Sequence, residues 1–574
     1  MPASSIETVL TELENLRYRF GRGDAARVSK ALARAGVARY DDIPSLIRFH
    51  EALLVLRAFP PNAAVLRRAE QYLNTFWRRV GRLRQAGADM DDFDPLEVSG
   101  IAGTTMQDAL GFDLARWLVK RLPGKVEIAW SDFDEERALC AVWPRLMPLL
   151  EEDTLAEANI PWRKWLDSAQ GSRSNSPAWL IERFDSLPLS EIEKARLYDS
   201  LHIPIRWSLE NSRLSRTRNW RPARRVFYHD GPLIARQNVS LATELARRPP
   251  SLKRLSQTEG AAVMDLIREV MLVRYRELYG TTLGDPRSVV RAEVGRGVSI
   301  YLWNLPPARR LPLRAYVAGL TLKNGVPINY IEAIGLFEWI EVGFNTFYTF
   351  RGGEVAWTFA QVLRCLCHFA GATCISMYPY QLGHHNEEAI ESGAFWFYRK
   401  LGFRPGRPDL LRLAEREEQR IARDPKYRTP PRKLRKLAEA HAFYELPGSE
   451  AEAWDRFSTR NLGMRVNRRM AAEFGGSIAR IRNASARSLA QILRTRIPKE
   501  DDPGRQSFEN LALVVTMIPE LRSWTTVEKH DLLQIIRAKS GADELRYLHL
   551  LQQHRRLRDA MLKLGRQPGR LEKL

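Results

Sequence analysis

The sequence predicts a multidomain α+β protein, in which a mixed-sheet α/β module is flanked by mainly helical N- and C-terminal regions. At 574 residues the chain exceeds what one hydrophobic core usually organises. Apolar residues recur at helical spacing in the outer regions, whereas the middle holds strand-like runs. We expect four regions: a helical domain over 1–95, a mixed mainly helical domain over 96–250, an α/β module over 255–406, and a basic helical region over 407–574.

The N-terminal helices are predicted from apolar spacing and from one break in the pattern. Leu10, Leu13 and Leu16 fall at helical spacing. The stretch Phe59-Pro60-Pro61 interrupts the helical pattern, and Asn62 directly after it is a suitable N-cap. We therefore expect a new helix to begin after Asn62.

The middle of the chain combines one amphipathic helix with several strands. Residues 258–278 carry apolar side chains on one helical stripe. Strand-like runs follow over 298–303 and 314–322, and Asn324-Gly325 is a preferred two-residue hairpin turn. We expect the run after this turn to pair with the run before it. Further strands are expected over 338–349 and 372–378, on either side of a helix.

The formal net charge of +21 predicts attraction to polyanions. Basic residues concentrate in three segments, over 213–225, 423–436 and 554–574. A solvated surface rich in arginine is one explanation, and no nucleic-acid recognition motif accompanies these segments. The expected partners are an acidic carrier protein or RNA, bound through these segments. Association of the last segment with an anionic membrane surface is a weaker alternative.

Composition predicts a cytoplasmic protein without a transmembrane segment or a metal. No run approaches the roughly 20 apolar residues of a membrane-spanning helix. The first thirty residues lack the apolar block of a signal peptide, and four cysteines are too few for a disulfide framework. Cys365 and Cys367 project differently from their helix, and Cys374 belongs to a strand, so small core residues explain them better than metal ligands.

Two short motifs lie within the α/β module. The first is Arg351-Gly352-Gly353-Glu354-Val355-Ala356, between a predicted strand and a predicted helix. The second is Ala394-x-x-x-Tyr398-x-x-x-Gly402-Phe403, on an aromatic amphipathic helix. With the order helix, strands with a hairpin, glycine loop, helix, strand, helix and strand, these motifs resemble the GNAT superfamily of N-acetyltransferases. The resemblance covers residues 255–406, about a quarter of the chain.

The resemblance implies transfer of an acyl group from a thioester to an amine. In that family the glycine loop presents backbone N–H groups to the pyrophosphate of coenzyme A, where the unpaired amides and dipole of a helix N-terminus bind an anion. The implied donor is acyl-CoA or an acyl carrier protein thioester. Glu354 stands where the family has its central glycine. The implied cofactor-binding residues are Phe347, Thr349, Arg351, Gly352, Gly353, Val355 and Ala356.

The resemblance also implies an acid and a base. Tyr398 matches the family tyrosine that protonates the leaving thiolate. The family commonly uses a strand glutamate as base, and here Glu341 is preferred over Glu338. Burial among apolar neighbours is expected to raise the pKa of Glu341, which favours a base near neutral pH. Gly343 is expected to form a β-bulge that splays this strand.

Two functions therefore remain open. The first is an acyltransferase in which a strand glutamate is the base and Tyr398 is the acid. The second is a catalytically inactive GNAT-like fold in a basic nucleic-acid-binding or scaffold protein. Glu354 favours the second, because a carboxylate repels phosphate, whereas the spacing of Tyr398 favours the first. A purely structural role for Tyr398 in an aromatic core is the alternative to catalysis.

Overall fold

The computed structural model describes residues 3–147, 162–171, 176–275 and 277–566. The protein is α+β with a mixed sheet, as the sequence predicts. Among the residues described, no helix has the length and apolar character that crossing a membrane requires.

Five helices form the N-terminal region, and side-chain caps fix where two of them begin. The Asp42 carboxylate accepts a hydrogen bond from the N–H of Ser45, and the Asn62 side chain accepts one from the N–H of Val65. The predicted cap at Asn62 is confirmed. The helices are α1 (Ala3–Leu16), α2 (Asp24–Val37), α3 (Ile43–Ala58), α4 (Ala63–Asn74) and α5 (Trp77–Gln85).

The next region surrounds a small sheet with helices and has a hydrophobic core of its own. Its strands have the order β1-β3-β2, with both pairs antiparallel. The elements are β1 (Thr105–Ala109), α6 (Phe112–Arg121), β2 (Val126–Ile128), α7 (Glu136–Leu146), α8 (Trp162–Gln170), α9 (Ser176–Asp185), α10 (Glu191–Asp199), β3 (Pro204–Ser208) and α11 (Leu241–Ala246).

A nine-stranded sheet occupies the middle of the chain, in the order β11-β12-β10-β9-β8-β7-β6-β5-β4. All neighbouring pairs are antiparallel except β9 and β10. The strands are β4 (Leu252–Arg254), β5 (Val290–Gly295), β6 (Val298–Asn304), β7 (Ala315–Lys323), β8 (Val326–Leu336), β9 (Trp339–Thr346), β10 (Cys374–Met377), β11 (Arg404–Pro405) and β12 (Ala442–Glu445). The helices between them are α12 (Gln257–Leu272), α13 (Tyr279–Thr282), α14 (Val355–Ala370), α15 (Pro379–Leu382), α16 (Glu387–Glu391), α17 (Ala394–Arg399), α18 (Pro408–Arg423) and α19 (Pro431–Leu437).

The hairpin predicted at Asn324-Gly325 is confirmed, with β7 and β8 paired directly across it. Both turn residues have positive φ, +48° and +82°, which Asn and Gly tolerate best. The Asn324 side-chain amide also donates to the carbonyl oxygens of Ala58 and Phe227, at 2.9 Å each. The turn therefore ties the sheet to the end of α3 and to the chain segment before β4.

Strands β9 and β10 separate beyond Val342, but not for the predicted reason. The pairing of β8 with β9 runs through Gly343 without a register shift, so the β-bulge expected at Gly343 is wrong. The parallel pairing instead ends at Val342 and Met377, because the chain leaves the sheet at Pro379 and begins α15. The last four residues of β9 therefore have no partner strand on the β10 side.

The sheet packs on both faces against helices. One face joins α14 and the C-terminal helices in a single hydrophobic core. The other face shares a second core with the N-terminal helices and α12. The N-terminal helices are therefore continuous with the sheet, and they lie against the end of β9 where the glycine loop begins.

Six C-terminal helices are anchored to the sheet by a buried ion pair. Lys539 donates to Glu544 at 2.6 Å and to the carbonyl oxygen of Arg314 at 2.8 Å, and both charged side chains are at most 1% exposed. The helices are α20 (Thr459–Phe474), α21 (Ile478–Leu493), α22 (Gly504–Val515), α23 (Thr526–Lys539), α24 (Glu544–Gln553) and α25 (Arg555–Gly565).

We predict that Lys539→Met lowers the free energy of unfolding by about 3 kcal/mol, because it removes the closer of the two cations beside the buried Glu544 carboxylate and leaves only Arg310, at 3.8 Å. Urea denaturation followed by circular dichroism measures this change. Arg537→Met, at an exposed position two residues earlier on the same helix, is the control and should change the free energy by less than about 0.5 kcal/mol. Equal effects of the two substitutions would show that the ion pair does not anchor the bundle.

Candidate functional site

Two aromatic rings from the N-terminal region pack against one side of the glycine loop between β9 and α14. A Cβ atom built on Gly352 would lie 2.6 Å from Cε2 of Tyr18, and one built on Gly353 would lie 2.7 Å from Cζ of Phe59. The Tyr18 hydroxyl also donates to the carbonyl oxygen of Thr349 at 3.2 Å. Both glycines therefore allow close packing of these rings.

The two expected binding residues ahead of the loop are also buried. Thr349 hydrogen-bonds to Glu51 and Arg216 through its hydroxyl, and Phe347 lies under the Arg274 guanidinium at 4.2 Å. Burial alone would raise the pKa of Glu51, but the Arg216 charge and further hydrogen bonds lower it to about 2. Thr349 and Phe347 thus belong to an interior polar network.

The Glu354 side chain points into the protein, not toward a ligand space at the loop. Its carboxylate is 2% exposed, accepts from Arg296 Nε and from the N–H of Ile234 at 3.0 Å each, and lies 3.8 Å from Lys323 Nζ. Burial lowers the pKa of Lys323 to about 7, although the Glu354 charge opposes this shift. The carboxylate fills the corner at which α14 begins.

The remaining loop residues also have structural partners. Arg351 is ion-paired with Glu388 on α16 and stacks on the Tyr348 ring at 3.9 Å. Val355 and Ala356 pack in the core of the α14 face. The seven residues expected to bind a cofactor are thus placed together. Arg351 and Gly352 are exposed, whereas the other five lie in packed or half-buried surroundings.

Tyr398 lies in an aromatic cluster. It is 5% exposed, its ring meets those of Phe359, Phe397 and Phe403 at centroid distances of 5.2 to 5.9 Å, and burial raises the pKa of its hydroxyl. These surroundings support a structural role for Tyr398 in the core better than they support its role as the acid that protonates a leaving thiolate.

Glu341 lies on the opposite face of the sheet from Tyr398. Its neighbours Ile340 and Val342 point into the core that contains Tyr398, and side chains alternate along a strand. The expected acid and the preferred base are therefore not brought together.

Glu341 has polar partners that the sequence did not indicate. Its carboxylate lies 2.8 Å from Nε2 of His441 and 3.3 Å from Nη1 of Arg314. The predicted rise of its pKa is wrong: burial alone would raise it, but the His441 hydrogen bond and charge together with Arg314 lower it. His441 directly precedes β12, 100 residues later, and no local motif marks it.

Glu338 is placed in the turn between β8 and β9, at the other end of β9 from the glycine loop. Its carboxylate accepts from Nε1 of Trp454 at 2.8 Å and from Nη2 of Arg558 at 2.6 Å. These contacts connect the turn to the C-terminal region, and they give Glu338 a structural role away from the loop.

Two of the three predicted basic segments line cavities. Residues 221–225 cover a cavity of about 440 Å³ beside β4, β5 and β6, which we call the arm cavity. Its lining includes Arg221, Arg224, Arg225, Lys253 and Arg291, with Glu259 and Glu293 as the acidic members. The second basic segment borders a more open cleft of about 700 Å³.

That second cleft, the histidine cleft, lies between the loop before α16 and helix α19. It is lined by the adjacent rings of His384 and His385, 4.1 Å apart, and by Arg432 and Lys436. Lys433 and Arg435 also border it, but they are ion-paired with Glu417 and Glu387. The cleft therefore holds two cations that are neutralised by carboxylates, Lys433 and Arg435, and two that make no ion pair with the described residues, Arg432 and Lys436.

The third basic segment differs from the other two. Arg556 and Arg558, within its described part, are ion-paired with Glu528 and Glu338. Residues 567–574 lie outside the described residues. Across the described ranges, no cluster of three or more His, Cys, Asp or Glu side chains could hold a metal ion.

Comparison with protein-family models, with curated proteins and with solved structures gives no match. Functional conclusions therefore depend on the side chains and their surroundings.

We predict that Glu354→Gln lowers the free energy of unfolding by about 3 kcal/mol, because Arg296 and Lys323 lose their buried counter-charge. It should not create affinity for acyl-CoA, since Tyr18 and Phe59 still pack against the loop. Chemical denaturation and a thermal-shift titration with acetyl-CoA measure the two effects. Glu388→Gln, which removes an exposed partner of Arg351, is the control and should cost about 1 kcal/mol or less. A stable Glu354→Gln protein that gains acyl-CoA binding would contradict this reading.

Proposed function

We propose that the protein binds nucleic acid through its basic cavities and that its GNAT-like sheet acts as a scaffold without acyl-CoA chemistry. The observation that carries the proposal is the contrast between the two kinds of surface. The loop that would hold a diphosphate packs against Tyr18 and Phe59 and its arginine is ion-paired, whereas Arg224 and Arg225 at the arm cavity are exposed and make no ion pair with the described residues. A fold alone does not fix a function, so the charges at the accessible surface have more weight than the fold resemblance.

The arrangement of elements supports a GNAT-like module as the scaffold. Helix α12 is followed by antiparallel strands with a hairpin, the glycine loop, α14, the parallel strand β10, α16 and α17, and then β11. The sequence resembles the GNAT superfamily in this order of elements. Because β9 and β10 separate beyond Val342, the sheet of the module has a gap at its centre. The residues around Tyr398, however, pack as a hydrophobic core.

The distribution of charge supports nucleic acid as the ligand. A net charge of +21 attracts polyanions over distances of about a Debye length, and phosphate groups accept hydrogen bonds from several arginines at once. The arm cavity and the histidine cleft each combine cations with space for a ligand. Phosphates along a strand would replace the missing counter-charges.

We predict that the protein binds a fluorescein-labelled single-stranded RNA with an affinity that falls steeply as salt rises, because binding releases counterions. The double substitution Arg224→Glu and Arg225→Glu should weaken binding at least about tenfold and reduce the salt slope by about two. Fluorescence anisotropy between 50 and 200 mM KCl measures both quantities.

The double substitution Arg19→Glu and Arg22→Glu is the control for this experiment, because it changes the net charge by the same amount at two exposed arginines between α1 and α2 that line neither cavity. It should leave most of the affinity intact. Equal losses of RNA affinity in the arm-cavity and control variants would show that the weakening reflects net charge alone. Absence of RNA binding, together with a thermal shift caused by acetyl-CoA, would overturn the proposal.

A second candidate function, acyl transfer to an amine, is favoured by one specific observation. The Glu341–His441 pair lies beside the point where β9 and β10 separate, and His441 is 31% exposed. A histidine held by a carboxylate through Nε2 has Nδ1 free to accept a proton from an ammonium group or from an attacking amine. In this alternative the thioester would reach the site without the glycine loop.

If the protein is an acyltransferase, we predict that His441→Gln lowers kcat at least about 100-fold, because the proton acceptor is lost. Tyr398→Phe should leave kcat within about twofold, since its hydroxyl lies in the aromatic cluster. A thiol-release assay with acyl-CoA and a panel of amines measures both. A severe loss in Tyr398→Phe with an unchanged fold would restore Tyr398 as the acid. No turnover with any donor would leave nucleic-acid binding as the supported function.

A further inference from the structure

The arm cavity has the construction of a site for one nucleotide. We propose that it takes a single nucleotide unit of a bound strand, with the phosphate on the arginines of residues 221–225 and the base against the apolar floor of the cavity. This inference rests on the proposed nucleic-acid function and names the subsite at which the strand is held.

The segment that covers the cavity is fixed at both ends, so the space beneath it is preformed. The N–H of Arg221 donates to the carbonyl oxygen of Gly325 at 3.0 Å, and a Cβ atom on Gly325 would lie 1.7 Å from the carbonyl oxygen of Arg221. At the other end the N–H of Phe227 donates to the Asn324 side chain at 2.8 Å. Residues 222–225 therefore bridge the cavity between two anchors on the same hairpin turn.

Four cations line this cavity, and two of them have no carboxylate near them. Arg221 and Lys253 lie close enough to the Glu259 carboxylate to interact with its charge, whereas Arg224 and Arg225 are exposed and make no ion pair and no side-chain hydrogen bond with the residues that the structure describes. Elsewhere in the protein the buried Arg216 and the half-buried Arg296 are paired with carboxylates. Cations that repel one another around a cavity lower their electrostatic energy when an anion enters it.

The two carboxylates in the lining are already engaged by the protein. Glu293 is bound by Arg291 at 3.2 Å and by the Ser299 hydroxyl at 2.8 Å. Glu259 closes the capping box of α12 by accepting from the N–H and the hydroxyl of Ser256. Glu259 forms no close ion pair with Arg221 or Lys253, although it interacts with both charges, and neither carboxylate engages Arg224 or Arg225. These two arginines remain available to a phosphate.

The size and the remaining walls fit a nucleotide better than an inorganic ion. The cavity measures about 440 Å³, within the range of small-ligand sites. Leu255, Leu322 and Tyr301 form an apolar floor beside the cations, and each is buried except for 2 to 7% of its surface. A phosphate alone would fill only a small part of the cavity, whereas a nucleotide also places its base on this floor, with its phosphate among the arginines.

Isothermal titration of the full chain with AMP, adenosine and inorganic phosphate tests the inference. We expect AMP to bind at least about tenfold more tightly than either of the other two, because only AMP satisfies both the cations and the floor. AMP should also compete with the labelled RNA. Adenosine or phosphate binding as well as AMP would overturn the two-part site.

Two variants locate the site. Ala223→Trp adds a bulky side chain to the lining without changing any charge and should abolish AMP binding. The control Ala86→Trp, at an exposed position, should have no effect on AMP binding. Arg224→Gln removes one cation and should weaken AMP about tenfold, equivalent to about 1.4 kcal/mol. Unchanged AMP affinity in both cavity variants would place the nucleotide elsewhere and refute the inference.

The outcomes separate this inference from the proposed function. RNA binding without AMP binding would refute the nucleotide subsite and retain the nucleic-acid function. AMP binding without RNA binding would retain the cavity as a nucleotide site and refute the proposed function. Loss of both would refute both.

Discussion

The burial of the Glu354 carboxylate is the interaction on which the interpretation of this protein depends. Arg296 comes from the turn between β5 and β6, Lys323 ends β7, and Ile234 belongs to the segment before α11. One side chain at the start of α14 therefore holds the sheet, the helix and the preceding segment together. An unpaired carboxylate could not remain in this interior, and the same burial makes the helix start a structural junction.

The N-terminal helices complete the closure of this junction. They share a hydrophobic core with the sheet, and Tyr18 and Phe59 pack directly on the two glycines of the loop. Glycine permits close approach by a ligand or by a neighbouring side chain, and here aromatic rings occupy that space. A diphosphate that occupied the side of the loop on which these rings lie would have to displace them from the core.

Local sequence patterns predicted the features that local physics controls. The cap at Asn62, the hairpin at Asn324-Gly325 and the mixed α+β class follow from residues that interact with close neighbours. The partners of Glu354 and Glu341 lie 58 and 100 residues away, at Arg296 and His441. Spacing along the chain carries no sign of such contacts, so the predicted direction of the Glu341 pKa shift is wrong.

The two exposed arginines of the arm cavity have no carboxylate partner among the described residues, and in this they differ from the arginines of the interior, whose charges are compensated. Inside the protein Arg216 is matched with the Glu51 carboxylate, and the buried Arg57 donates to a backbone carbonyl oxygen and lies over a tryptophan ring, because an isolated buried charge is costly. At the arm cavity Asn324 and Gly325 instead hold a chain segment that brings like charges close to one another. Like charges held together at a preformed space raise the energy of the empty state, and a phosphate relieves that cost on binding. This makes the arm cavity, more than the glycine loop, the place where this fold can recognise an anion.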